Sequence, residues 1–260
     1  PYFTEHTSME GLYFDSSITT PFHFISVSGL AKRPSNPVGG LSYINNQFDQ
    51  GVEHLNHLGV DYFISYTEEI ESKAMDSEKL ILLFSSEPFS VFKVNSSKVE
   101  LIYQDIEIFS KVNIQDGILS SIFRDTNINN FFEKAYESFD ELDKKRVIEV
   151  SNEIVIESSK RNELQVTDLS ITNDKISFFT NSPGELHLIK VSYFPNWTIN
   201  DGNGPFRTSP SFMSVIPNSE YVEINFEKTP FEKNFFYFSL FSLLLSLIIF
   251  IRSKKNDKKT

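Results

Sequence analysis

Apolar and polar residues alternate along the C-terminal half of the chain with the period of a β-strand. In residues 221–226, Val222, Ile224 and Phe226 lie on one side and Glu223 and Asn225 on the other. The same alternation predicts strands over residues 153–157, 175–179, 185–191 and 212–216, and Gly, Pro, Asn and Ser predict turns at 181–184, 201–204 and 217–219. Short strands at this spacing predict a jelly-roll-like β-sandwich domain over residues 147–230.

The pattern before residue 147 is mixed. Residues 1–44 contain proline corners and predict irregular chain. Apolar residues at three- and four-residue spacing from Phe48 to Leu58 predict a helix, capped by Asn46 or Asp49 and ended by Gly59. Strands are predicted over 60–66, 80–84, 89–94 and 99–103, and an amphipathic helix over 130–145. We therefore expect a mixed α/β segment over residues 1–146 and, for the whole chain, an α+β fold that is mainly β.

A long apolar segment follows the predicted sandwich. Residues 235–251 are seventeen residues without a charge, of which thirteen are Phe, Leu or Ile. As a helix they would extend roughly 25 Å at about 1.5 Å per residue, close to the thickness of the hydrocarbon layer of a bilayer. This predicts one transmembrane helix over 234–251; the alternative is a buried helix of a soluble core. The tail, 252–260, has five basic residues and one acidic residue, which predicts that it is cytoplasmic.

Charge gives the expected location of the remaining residues. The chain has 24 basic and 35 acidic residues, so without the tail it keeps 19 and 34. Such an acidic surface argues against binding nucleic acid, which needs a basic face. We expect residues 1–233 to be extracytoplasmic. Because the sequence begins at Pro1 without a signal segment, we also expect it to be the C-terminal piece of a longer polytopic protein, whose upstream membrane helices and the lipid bilayer are its partners.

Few residues suggest catalysis. His54 and His57 lie three positions apart on the predicted helix, without the four-residue spacing and third ligand of a zinc protease motif. The chain has no cysteine, nucleophile elbow, phosphate-binding loop or dinucleotide fingerprint. We therefore assign no catalytic residue, metal ligand or cofactor, and interpret the histidines as ordinary surface or interface residues.

An aromatic cluster around the single tryptophan is the candidate binding site. Tyr193, Trp197 and Phe206 offer flat apolar faces for sugar rings, with Asp201 and Arg207 as hydrogen-bonding groups. The alternative interpretation is a hairpin whose aromatic rings fill the edge of the sandwich. Both interpretations remain open on the sequence alone.

The same residues carry a family resemblance. The segments 191–197, 202–207, 209–217 and 222–226, followed by the apolar segment, resemble the C-terminal end of large polytopic membrane proteins of bacteria and archaea. These are the YfhO-like proteins and those labelled "6-pyruvoyl-tetrahydropterin synthase-related". Residues 11–24 and 51–64 look like the same group, so the resemblance covers about the first 70 and the last 70 residues.

The resemblance implies a membrane glycosyltransferase of the C-type fold. Such enzymes transfer a sugar from a polyprenyl-phosphate donor, with acidic residues in an early loop that has no counterpart here, so no catalytic residue is carried over. The chain would then be an accessory domain in cell-envelope glycan synthesis, with a glycan or polyprenyl-linked sugar as its partner. The pterin label implies no activity, because no metal-binding histidine set accompanies it. Two alternatives are a membrane-anchored carbohydrate-binding or structural module without catalysis and a soluble hydrolase, for which the sequence offers no nucleophile.

Overall fold

The computed structural model describes residues 19–110, 126–150, 155–160, 163–228 and 230–256. The helices in this part are α1 (Thr20–Leu30), α2 (Phe48–His57), α3 (Glu68–Asp76), α4 (Thr126–Glu137) and α5 (Pro230–Asn256), with a 3-10 turn at Phe139–Glu141. The strands are β1 (Tyr62–Ser65), β2 (Leu80–Ser86), β3 (Phe89–Val94), β4 (Val99–Leu101), β5 (Asp105–Ser110), β6 (Lys145–Val150), β7 (Val166–Ile171), β8 (Lys175–Thr180), β9 (His187–Ser192), β10 (Trp197–Ile199), β11 (Gly202–Thr208), β12 (Phe212–Pro217) and β13 (Tyr221–Phe226). The predicted fold class, α+β and mainly β, is confirmed.

The strands form three sheets. A three-stranded sheet has the order β1-β3-β2, a four-stranded sheet the order β10-β13-β8-β7, and a six-stranded sheet the order β4-β9-β12-β11-β6-β5. The four- and six-stranded sheets share one core, in which Phe178 and Val222 of the smaller sheet pack with Ile189, Met213 and Val215 of the larger. Side chains that alternate along each strand therefore meet between two layers.

The six-stranded sheet crosses the predicted domain boundary. β4, β5 and the first residues of β6 come from the segment 1–146, and β9, β11 and β12 come from the segment 147–230. β5 and β6 are parallel neighbours, joined through α4, whereas the other pairs of this sheet are antiparallel. The crossover explains the mixed sheet, because parallel neighbours need a long connection.

The N-terminal helices pack beside the sheets in two apolar clusters. In one, α2 and α3 cover the inner face of the three-stranded sheet, where Val52 and Ile70 lie with Phe92 and Val94. In the other, Phe22 and Ile25 of α1 pack with Phe131 of α4. Through these contacts the N-terminal segment packs against α4, the helix that connects β5 to β6.

Helix α1 corrects the prediction of irregular chain over residues 1–44. Pro21 occupies the first turn of the helix, where its missing N–H leaves no hydrogen bond unmade. The helix is apolar on several sides, with Phe22, Ile25 and Leu30 buried, so it shows no amphipathic period. The prediction of irregular chain from the prolines is therefore wrong for residues 20–30. Residues 1–18 lie outside the described part.

Other predictions are confirmed or adjusted. α2 is confirmed, and Gly59 follows it with a positive φ of 68°, but its cap position is Gln47 rather than Asn46 or Asp49. The helix predicted over 130–145 ends at Glu137, and β6 begins at Lys145. The strand predicted over 153–157 lies partly outside the described residues, and its remaining positions, 155–157, form no strand.

The predicted membrane segment, 234–251, lies in α5, a single helix of 27 residues. Within the residues that the structure describes, no helix meets the length and hydropathy needed to cross a membrane. Where the side chains of α5 are described, up to position 248, the large apolar ones are exposed.

Candidate functional site

The structure does not bring all five residues of the predicted site together. Trp197 is buried between the two large sheets, with its ring 5.1 Å from that of Phe226 in an edge-to-face contact. Phe206 is buried in a different cluster of the six-stranded sheet. The exposed Asp201 accepts a hydrogen bond from the Asn218 side chain at 3.0 Å.

The predicted hairpin does not form. β10 pairs with β13 of the four-stranded sheet, and β11 pairs with β12 and β6 of the six-stranded sheet. The chain between residues 199 and 202 therefore passes from one layer to the other. Because consecutive residues of a strand point to opposite faces, the side chains of Phe206 and Arg207 lie on opposite sides of the sheet.

Tyr193 and Arg207 do come together. The guanidinium carbon of Arg207 lies 5.0 Å from the centre of the Tyr193 ring, and 5.7 and 5.8 Å from the rings of Phe131 and Phe132 on α4. Contacts at this range between a cation and aromatic faces are attractive. The aromatic rings thus hold the guanidinium in a fixed position under α4.

Glu149 completes the charge balance of the site. It lies directly opposite Arg207 in the β6–β11 register, and its Oε2 is 3.5 Å from Nη1 of Arg207. Both side chains are more than nine-tenths buried, at 6% and 8% exposure. The two opposite charges therefore attract each other at close range, with little solvent to screen them.

Several polar atoms of this site make no hydrogen bond. Within the described residues, Nε and Nη1 of Arg207, Oε1 of Glu149 and Oγ of Ser211 are buried and make no hydrogen bond, although Nη1 belongs to the ion pair with Glu149. Ser211 is a neighbour of the site, because its carbonyl accepts from the backbone N–H of Tyr193 at 2.9 Å. Buried polar groups are nearly always hydrogen-bonded, so three such atoms on the Arg207–Glu149 pair and a fourth on nearby Ser211 are a feature to explain. We define Tyr193, Arg207, Glu149 and Ser211 as the arginine site.

The phenol at this site has a perturbed pKa. Burial raises the pKa of Tyr193, and Glu149 adds to that effect while Arg207 opposes it. The phenol therefore stays neutral at physiological pH, as a hydrogen-bonding hydroxyl. With an ion pair of zero net charge beside it, the arginine site presents donors and acceptors together and is suited to a neutral polar molecule.

The arginine site lies toward one end of the parallel strand pair. Glu149 is the last residue but one of β6, and β5 runs beside it in the same direction.

Sequence reasoning missed Glu149 and Ser211. Glu149 follows Arg146, Val147 and Ile148 in a strand whose residues after the exposed Lys145 are all buried, and a carboxylate after such an apolar pair is an available signal. Ser211 has no comparable signal, because the tight β11–β12 connection that buries it is visible only in the fold.

The two histidines of α2 belong to a second polar cluster. The buried His54 ring nitrogen Nε2 lies 2.8 Å from Asp140 Oδ1. The pKa of His57 is lowered to about 3, first by burial and then by the nearby charges of Arg146 and Lys190, among others. Among the described residues, no group of three His, Asp or Glu side chains is arranged to hold a metal ion.

Comparisons with models of known protein families, with curated proteins and with solved structures find no match to this chain.

Proposed function

We propose that this chain is a membrane-tethered domain that binds a neutral glycan outside the cytoplasm, as the accessory part of a polytopic glycosyltransferase in cell-envelope synthesis. The arginine site is the observation that carries the binding role. The N–H groups of Arg207, the carboxylate oxygen of Glu149 and the hydroxyl of Ser211 that make no hydrogen bond match the mixed donors and acceptors of sugar hydroxyls, and Tyr193 adds an aromatic ring.

The membrane tether is supported by α5. Phe238, Phe241 and Leu243 are each exposed by more than 60%, on a helix whose residues 235–251 carry no charge. Exposed apolar side chains around a helix are suited to lipid. In this proposal residues 1–233 are extracytoplasmic and the basic tail is cytoplasmic. The catalytic step and its polyprenyl-phosphate donor belong to upstream membrane segments, as the resemblance implies.

The binding role is tested with the full chain in lipid nanodiscs against a panel of neutral and polyprenyl-phosphate-linked sugars. Arg207→Lys keeps the charge but loses the planar fork of donors, and we expect it to weaken binding at least about tenfold, the effect of roughly one lost charged hydrogen bond. The control is Lys175→Arg, at the exposed pair between Lys175 and Glu223. Binding that Arg207→Lys and Glu149→Gln leave unchanged would place the ligand elsewhere, and no binding across the panel would refute the role.

The orientation has its own test. A reporter fused after Thr260 is expected to be active only in the cytoplasm, because basic residues next to a span stay on that side. Activity outside the cytoplasm would refute the proposed topology whatever the sugar panel shows.

A further inference from the structure

The three-stranded sheet has an outer face made of apolar side chains. In the strand register, Ile64 of β1 and Phe84 of β2 both lie opposite Val91 of β3. Ile81 lies beside them, opposite Lys93, and Phe89 extends the row toward the β2–β3 turn. Ile64, Ile81 and Phe84 are each 59% exposed. We call the five apolar residues Ile64, Ile81, Phe84, Phe89 and Val91, together with Lys93 among them, the apolar face.

The inner face of the same sheet already serves the core. Leu80, Phe92 and Val94 point inward and pack with α2 and α3. An antiparallel sheet with one buried face normally alternates to polar residues on the other. The outer face departs from that rule, and contiguous apolar surface of this kind marks an interaction site.

The lack of acidic residues in the three strands indicates which kind of partner the apolar face can bind. The chain has 35 acidic residues, yet β1, β2 and β3 contain no Asp or Glu and one charged residue, Lys93. A patch without acids on an acidic protein is where a membrane surface, which is neutral or anionic, meets the least repulsion. The flexible stem of Lys93 can lie along the apolar side chains while its ammonium reaches lipid headgroups.

We propose that the apolar face docks on the lipid bilayer that holds α5. The inference rests on the proposed function, since a chain anchored by α5 keeps its sheet at high effective concentration next to lipid. Aromatic and aliphatic side chains together, as in Phe84, Phe89 and Ile64, are typical of surfaces that sit at the headgroup boundary.

The sheet docks flat rather than by inserting its hairpin tip. Glu87 lies in the turn between β2 and β3, and its carboxylate would be costly to bury in hydrocarbon. The face itself contains no such group. Flat docking would leave the turn at the edge of the contact, in water.

The test uses single-cysteine labelling of the full chain in vesicles of neutral and anionic lipids, which is clean because the chain has no cysteine. An environment-sensitive label is placed by Phe84→Cys on the apolar face, by Ser246→Cys in α5 and by Ser170→Cys on exposed β7. We expect lipid-borne nitroxide to quench the label at 84 at least about twofold more than the label at 170, with matching protection from aqueous iodide.

The outcomes separate the two proposals. If lipid quenches the label at 246 while iodide reaches the label at 84, the docking is overturned and the tether stands. Both labels open to iodide overturn the tether itself. A label at 84 protected from iodide but unquenched by lipid means that a protein covers the face, which also overturns docking on lipid.

A charge variant checks that protection comes from the apolar face. Adding Ile64→Glu to the labelled Phe84→Cys chain places a carboxylate in the same row, and we expect iodide quenching to rise to the level seen at 170. Circular dichroism verifies that the variant folds. Protection that survives Ile64→Glu would contradict the proposal.

Discussion

Trp197 is held between two sheets, where it is 7% exposed and packs edge-to-face on Phe226. Replacing it by alanine leaves a cavity, so we expect Trp197→Ala to lower the free energy of unfolding by about 3 to 5 kcal/mol. Denaturation followed by circular dichroism measures the change. Phe194→Ala is the matched control, because Phe194 contacts the same Phe226 ring while half exposed, and it should cost less than about 1 kcal/mol. A Trp197→Ala chain of unchanged stability that fails to bind glycan would instead make the ring a ligand contact.

His57 makes stability depend on pH. Its pKa is about 3 in the folded protein and near 6.5 when unfolded, so between these values the unfolded chain binds the additional proton. The part of the stability that depends on His57 should therefore be complete above about pH 6.5, fall by up to about 1.4 kcal/mol per pH unit below it and level off near pH 3.

The variant His57→Gln isolates this proton. It should flatten the decline between pH 6.5 and 5 in urea titrations, while His187, whose pKa burial also lowers, keeps a smaller slope. An unchanged slope in His57→Gln would show that the imidazole titrates normally in the folded chain.

Among the elements, β11 depends on a glycine. Gly202 has a φ of 151°, and an added Cβ would lie 2.5 Å from the carbonyl oxygen of Ile216 on β12. We expect Gly202→Ala to cost about 2 to 4 kcal/mol, since backbone strain and a forced shift add. Gly184→Ala is the control: its φ is 83° with open space around it, so only about 1 to 2 kcal/mol should be lost. Thermal melts compare the two, and equal losses would show that the strands shift freely.

The elements also show what the sequence can and cannot predict. β3 and β13 have the bounds that alternation predicts, because each has one buried and one outer side. β11 was predicted in part as a turn, since it opens with Gly-Asn-Gly-Pro. No helix was predicted over α3, because it has three acidic residues in its first turn and only two buried apolar residues. Local composition describes these segments well, but their pairing partners decide the structure.

The arginine site was half predictable for the same reason. Tyr193 and Arg207 were chosen for their residue types, and the fold places them together. Glu149 is 58 positions from Arg207 in the sequence and meets it only through the β6–β11 register. Trp197 and Phe206 are just as aromatic as Tyr193, but the layer change after β10 buries them in separate clusters.

At the scale of the whole molecule, Lys190 connects the N-terminal helices, through α2, to the six-stranded sheet. Its buried ammonium donates to the carbonyl of Asn56 on α2 at 2.8 Å and to Glu100 of β4 at 2.5 Å. Lys190→Met leaves a partly buried carboxylate without its ammonium and removes one of the hydrogen bonds to the Asn56 carbonyl, which keeps the one from the Gly59 N–H at 2.9 Å. We expect a loss of about 2 to 4 kcal/mol. Lys175→Met, at an ion pair on the protein surface, should lose much less stability than Lys190→Met, because solvent screens the pair.

The same variant tests how the layers are coupled. Trp197 fluorescence reports on the sandwich alone, whereas circular dichroism also reports on the helices. In the original chain the two signals should change together during urea unfolding, and in Lys190→Met the helical signal should be lost first. Coincident transitions in the variant would mean that apolar contacts alone couple the layers.

The strand order of the six-stranded sheet has a consequence for synthesis of the chain. β4 and β5, the earliest strands, lie at its two edges, and the central β9, β11 and β12 come from far later in the sequence. A nascent polypeptide therefore carries both edge strands of the sheet before its central strands exist. β5 can pair with β6, the strand that follows α4, but β4 has no neighbour until β9 has been made. Folding that depends on such distant strand pairs is slow, and its intermediates expose apolar surface and unpaired strand edges that favour aggregation. We therefore expect a chaperone to bind the nascent chain until β12 has been made.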